Sequence, residues 1–129
     1  MMLSPQILRQ LSAYNNVDLG PHAQALLADV RGAAAAGLPL SVICLAAALI
    51  DVVQHELAGP AGYLDGAAFA FAGNKAALGW LRGRRNSVLH HETPTDGLMG
   101  ERDAQLWLVA DAERAITTML GFLTDLEMG

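Results

Sequence analysis

Residues 39–57 read Pro-Leu-Ser-Val-Ile-Cys-Leu-Ala-Ala-Ala-Leu-Ile-Asp-Val-Val-Gln-His-Glu-Leu, and this stretch decides the fold. It begins with a first-turn proline, and Gly59-Pro60 ends it, so it predicts one helix from about Pro39 to Leu57. Its first half is apolar on nearly every side, which marks a helix buried all round at the centre of a domain. A single stripe differs: Ser41, Cys44, Ala48, Asp51 and His55 are small at one end and polar at the other. A neighbouring helix can come close along such a line.

The flanking sequence breaks into further helix-sized pieces at Gly and Pro. Ser4-Pro5 supplies an N-cap and first-turn proline for a short helix with Ile7, Leu8, Leu11 and Tyr14 on one face. Pro21 opens a second, carrying Leu26, Leu27 and Val30 and stopping near Gly37. Beyond the central helix, Pro60–Ala72 reads as a short, weak helix, although Gly59–Gly73 is equally compatible with a loop. Gly73-Asn74 forms a break and cap before a helix from Lys75 to about His91. Thr93–Gly100 is a loop on composition. Glu101–Leu126 completes the chain as a long helix, with acids in its first turn and Leu106, Val109, Ile116, Leu120 and Leu123 on one face. No segment alternates as a strand would. The expectation is an all-α fold, four-helix-bundle-like with one or two additional short helices, and a single domain spanning 1–129.

Composition narrows the function. Hydrophobic residues make up 53% of the 129, much of it alanine, which suits close-packed helices. The longest apolar stretch, Leu38–Ile50, is broken by Asp51 and falls short of the ~20 residues that span a bilayer, so no membrane partner is expected. The start of the chain lacks a signal core, and Cys44 is the one cysteine, a small hydrophobe by its setting. These features point to a soluble protein of the cytoplasm. A net charge of −5 argues against indiscriminate nucleic-acid binding. The charge is uneven, however. From Gly66 to His91 no acid occurs, and half of the 8 basic residues fall there: Lys75, Arg82, Arg84 and Arg85.

That segment is the least ordinary in the chain. Leu78, Leu81, Arg85 and Val88 follow at helical steps, which places Arg85 on an otherwise apolar stripe. A guanidinium there needs a counter-ion, a ligand or a partner. Beside it runs Gly79, Gly83, Asn86, His90. Each interior glycine costs roughly 1 kcal/mol relative to alanine, so something is expected to approach the backbone along that line.

Arg85-Asn86-Ser87-Val88-Leu89-His90 is an Arg-x4-His motif with a polar residue after the arginine, and it resembles the signature of the HEPN superfamily (higher eukaryotes and prokaryotes nucleotide-binding domains). Trp80 and Leu81 ahead of the motif and a long final helix behind it suit the same pattern, over roughly Leu40 to Leu126. The resemblance implies a helical homodimer that brings two motifs together. It implies either a metal-independent endoribonuclease of toxin–antitoxin or RNA-processing type, or a non-catalytic RNA- or nucleotide-binding or scaffold module. It also implies a cognate antitoxin or nucleotidyltransferase as partner, and no cofactor or metal. Carried over, Arg85 would neutralise phosphate charge, His90 would move a proton from the ribose 2′-hydroxyl, and Asn86 would orient one of them or bind phosphate. Arg82, Arg84 and Lys75 would contact the RNA backbone. Residues five apart on a helix point ~140° apart, so Arg85 and His90 need a long reach or a second protomer to converge.

Two other readings stand beside it. The arginines and His90-His91 can be a positive helix end that favours the macrodipole, with no function. His55-Glu56 and His90-His91-Glu92 can meet as metal ligands, although no Glu-x-x-His pair is present. Asp51 and His55, one turn apart, read as a structural hydrogen bond or as a contact to the motif helix.

Overall fold

The structure is a computed structural model and describes residues 2–58, 74–91, 95 and 97–128. Its elements are α1 (Pro5–Ala13), α2 (Pro21–Ala35), α3 (Pro39–Ala58), α4 (Lys75–Leu89) and α5 (Ala104–Met128). Among the described residues there is no strand, and the all-α, bundle-like expectation holds. The short helix expected over Pro60–Ala72 lies outside the described residues.

The central helix is the one its hydropathy marks. α3 packs on α2, α4 and α5, while α1 lies across α2 and α5. Val42, Ile43, Ala46, Leu49, Ile50 and Val53 carry α3 into the core. Leu27, Val30 and Ala34 meet it from α2, and Ala112, Ile116, Met119, Phe122 and Leu123 from α5. The alanines matter here as spacers. Ala34, Ala46, Ala112 and Ala115 are fully enclosed, so the backbones approach closely and the larger Leu, Ile and Phe side chains fill what is left. Burial of each such large side chain contributes about 1.5–3 kcal/mol.

Over Pro39–Glu56, α3 is also long and apolar enough to cross a membrane by length and composition, with a mean hydropathy of 1.4. This corrects the expectation drawn from Leu38–Ile50: Val52 and Val53 continue the apolar run past Asp51, so a single carboxylate does not end it. In the fold this helix is the core of the bundle.

The helix ends follow local chemistry. The Ser4 side chain accepts from the Ile7 N–H, and the Ser4 N–H donates to Glu113 Oε2 at 2.8 Å, which ties the start of α1 to α5. The last carbonyls of α1 are capped from outside: Arg31 of α2 donates to Leu11 O at 3.2 Å and to Tyr14 O. α2 closes on Gly37, at φ 70°, with Leu38 N–H donating to Ala33 O and Gly37 N–H to Ala34 O. That pair of bonds is a Schellman motif, and its left-handed position suits glycine.

Two boundaries and one face differ from expectation. α4 ends at Leu89, short of His91: His90 donates its N–H to Asn86 O and then turns extended, at φ −131° and ψ 126°. α5 starts at Ala104, after Glu101. The Glu101 carboxylate folds back to accept from the N–H groups of Gly97 and Met99, holding a turn where a first helical turn was expected. Leu106 is exposed and off the core face. Buried Leu108, Ala112, Ala115 and Met119 set the register of α5, and Leu106 lies roughly 130° round from the centre of that face.

Arg31→Met keeps most of the side-chain packing and removes both bonds to the end of α1. It is expected to lower unfolding free energy by about 2 kcal/mol, read by urea denaturation, with amide exchange faster in α1 than elsewhere.

Candidate functional site

α4 starts on Asn74, whose Oδ1 accepts from the N–H groups of Ala76 and Ala77 at 2.9 and 3.1 Å. From there it presents its cations in three directions. Arg82 faces solvent, Arg84 turns toward α5 and Arg85 toward α3. Lys75 is exposed in the first turn, about 22 Å along the axis from His90, so it belongs to a different part of the surface.

Arg85 finds the counter-ion that its apolar stripe demands. Its Nη1 donates to Asp51 Oδ2 at 2.6 Å, and its Nε and Nη2 donate to Asn86 Oδ1 at 3.3 and 3.2 Å. Asp51 is therefore the contact to the motif helix. Its carboxylate is free for this because His55 uses the Asp51 backbone carbonyl, at 2.7 Å from Nδ1. Cys44 lies half-buried two helical turns before Asp51; burial pushes its thiol up, and the Arg85 charge pulls it in the opposite direction. The structure thus brings Arg85 and Asn86 together. His90 joins them only through its backbone: its ring is exposed at the helix end and makes no hydrogen bond to a described residue.

Arg84, expected to contact RNA at the surface, is the buried arginine of the segment, 9% exposed. Its Nε donates to Asp111 Oδ2 of α5 at 2.7 Å. The chain around it is tight: a side chain on Gly97, at φ 86°, would meet Arg84 Nη2 at 3.1 Å and Leu108 Cδ2 at 3.0 Å. Asp111 was missed from sequence, yet a signal exists. It follows Leu108 by three residues and precedes Ala115 by four, both buried, so it is an acid on a core-facing line of α5.

Gly79 and Gly83 lie open among the described residues. No described atom lies within 4 Å of where a side chain would start on either. Within the described chain nothing approaches this backbone. Instead the glycines face an open groove of about 800 Å³ between α4 and α5, lined also by Trp80, Arg84, Ser87, Trp107 and Asp111. The Arg114 guanidinium stacks 4.0 Å from the centre of the Trp80 ring. In the sequence Trp80 stands out only as context for the motif, and nothing singles out Trp107.

Among the described residues no three His, Cys, Asp or Glu side chains gather as a metal site would require. Glu56, one of the residues weighed for such a site, sits instead against Gly20 at the start of α2, where a carboxylate complements the helix dipole. Glu92 lies outside the described residues. No family model matches this chain, and no curated protein or solved structure matches it either.

Two outcomes follow from these contacts. Asp111→Asn removes the negative charge against a buried guanidinium and should lower stability by about 3 kcal/mol in chemical denaturation, whereas Arg84→Met with Asp111→Leu should recover most of the loss. The N–H of Gly97, followed by other backbone N–H groups, holds the Glu101 carboxyl below its ordinary value. A depressed carboxyl contributes stability above its unfolded pKa and loses it as pH falls through the folded one. A carbon-detected NMR titration should place the Glu101 midpoint below that of a free glutamate, with Gly97 amide protection lost over the same acid range; an ordinary midpoint would refute the turn contacts.

Proposed function

We propose that this chain is a HEPN-like helical module that acts on RNA, as a metal-independent endoribonuclease of toxin–antitoxin or RNA-processing type working as a homodimer in the cytoplasm. The observation that carries the reading is the state of the end of α4. Asn86 and His90 are exposed there, and His90 stands just past the last helical residue with no hydrogen bond from its ring to a described residue. A phosphodiester can reach both. In the proposed reaction the His90 imidazole takes the proton of a ribose 2′-hydroxyl, and the 2′ oxygen attacks phosphorus. The bond to the 5′ oxygen breaks, and that oxygen leaves with a proton drawn from water. The products are a 2′,3′-cyclic phosphate and a 5′-hydroxyl. Arg85 or its neighbour Arg82 offsets the charge that builds on the phosphoryl oxygens. The nucleophile belongs to RNA, so DNA is not cut. A cognate antitoxin or nucleotidyltransferase would then be the regulating partner.

A second reading, a non-catalytic RNA- or nucleotide-binding or scaffold module, is favoured by one contact. Asp51 and Asn86 already occupy the Arg85 guanidinium, and a phosphate has to displace a carboxylate at 2.6 Å to use it.

The test is incubation of structured and single-stranded RNA with the protein in EDTA, beside His90→Ala, Arg85→Ala and Arg85→Lys. Cleavage to cyclic-phosphate ends that falls at least ~100-fold in His90→Ala and Arg85→Ala is the expected result. RNA left intact by a folded, dimeric wild type would favour the binding module. Cleavage surviving both substitutions would remove this site from consideration.

A further inference from the structure

The groove between α4 and α5 has a composition that core packing does not account for. Trp107 keeps 45% of its surface exposed there, against the burial that its size would reward in a core. On the facing wall, Gly83 and, further along, Gly79 reduce α4 to bare backbone at a cost of roughly 1 kcal/mol each, and no described side chain uses the space gained. Pairing of Arg84 with Asp111 and of Trp80 with Arg114 shows that the two helices run antiparallel along the groove. The same register sets Trp107 across from the last turns of α4, near Ser87. The result is a slot with an aromatic wall on one side, a flat backbone wall on the other, and a hydroxyl and a carboxylate as polar groups. Its volume of about 800 Å³ falls within the ~300–1,000 Å³ of ordinary small-molecule sites.

We propose that this groove is a nucleobase-binding site, with the base stacked on Trp107, seated against the backbone at Gly83 and read by Asp111. It rests on the RNA-directed reading of α4 for what the base is attached to, since Ser87 in the groove directly follows Asn86 on the helix. A planar, polarisable ring fits the slot because it offers a face to the indole and an edge to the polar groups. Asp111 sets the preference among bases. Its Oδ2 accepts from Arg84 Nε, and that bond fixes the carboxylate in place while leaving acceptor capacity on both oxygens. A fixed carboxylate favours an edge with two adjacent N–H donors. Guanine presents such an edge; adenine presents one donor beside an acceptor. Packing a second helix into the groove instead would desolvate Asp111 and Ser87 without offering them donors.

The full chain titrated calorimetrically with GMP, AMP and ribose 5-phosphate tests this. GMP should bind saturably, AMP more weakly, and ribose 5-phosphate not at all. Trp107→Leu, at an exposed position, should fold normally by circular dichroism and weaken GMP at least ~10-fold, while Trp107→Phe keeps most of the affinity. Gly83→Ala should raise the melting temperature and weaken GMP, because its methyl enters the slot. Absence of saturable GMP binding, equal affinity in Trp107→Leu, or ribose 5-phosphate binding as tightly as GMP would overturn the proposal. The readout is independent of cleavage. RNA cut without Trp107-dependent GMP binding would sink the groove and leave the ribonuclease, and GMP bound without any cutting would do the reverse.

Discussion

Two adjacent arginines on α4 are fastened to opposite neighbours, and the arrangement of the candidate site depends on that. Arg84 reaches Asp111 on α5, and Arg85 reaches Asp51 on α3. α4 needs both, because it brings little apolar surface of its own to the core. Leu81 is its one fully enclosed hydrophobic side chain among the described residues, with Leu78, Trp80 and Val88 partly covered. Ion pairs with little exposure to water are directional where apolar contact is not, so they fix rotation as well as position. Once both pairs form, Gly79, Gly83 and Ser87 must face the groove, and Asn86 and His90 must face solvent.

The same constraint ties the stability of the module to its chemistry. Any change that releases Arg85 for a phosphate also leaves Asp51, on α3, without that partner. Cys44 lies close enough to feel the guanidinium, so the electrostatics of this corner couple a core helix to the motif helix. Arg84 plays the purely structural part of the pair: buried against Gly97, Leu108 and Asp111, it holds the α4–α5 seam. Consecutive residues of the same type thus serve different ends, because 100° of helical rotation turns one toward α3 and the other toward α5.

Much of the helical frame was legible in the sequence because its signals are local. Ser4-Pro5, Pro21, Gly37, Pro39 and Asn74 are capping or helix-starting residues whose effect needs only a few neighbours, and each lies where a helix begins or ends. The reading erred where side chains served something non-local. Glu101 looked like a first-turn acid but is drawn into a turn by two N–H groups. Leu106 matched the helical period yet fell outside the buried face, because periodicity gives a stripe and not its centre.

The sequence by itself determined that the chain is helical, that α3 is its core, and that Arg85 had to have a partner. Helix propensity, capping and the cost of an unpaired buried charge act on residues near in the chain. Only the tertiary structure decided that the partner is Asp51, that the buried arginine is Arg84 with Asp111, and that the glycine line borders a groove holding an exposed tryptophan. These are contacts between residues 27 and 34 positions apart, set by the angle and register at which finished helices pack, and no local pattern encodes either.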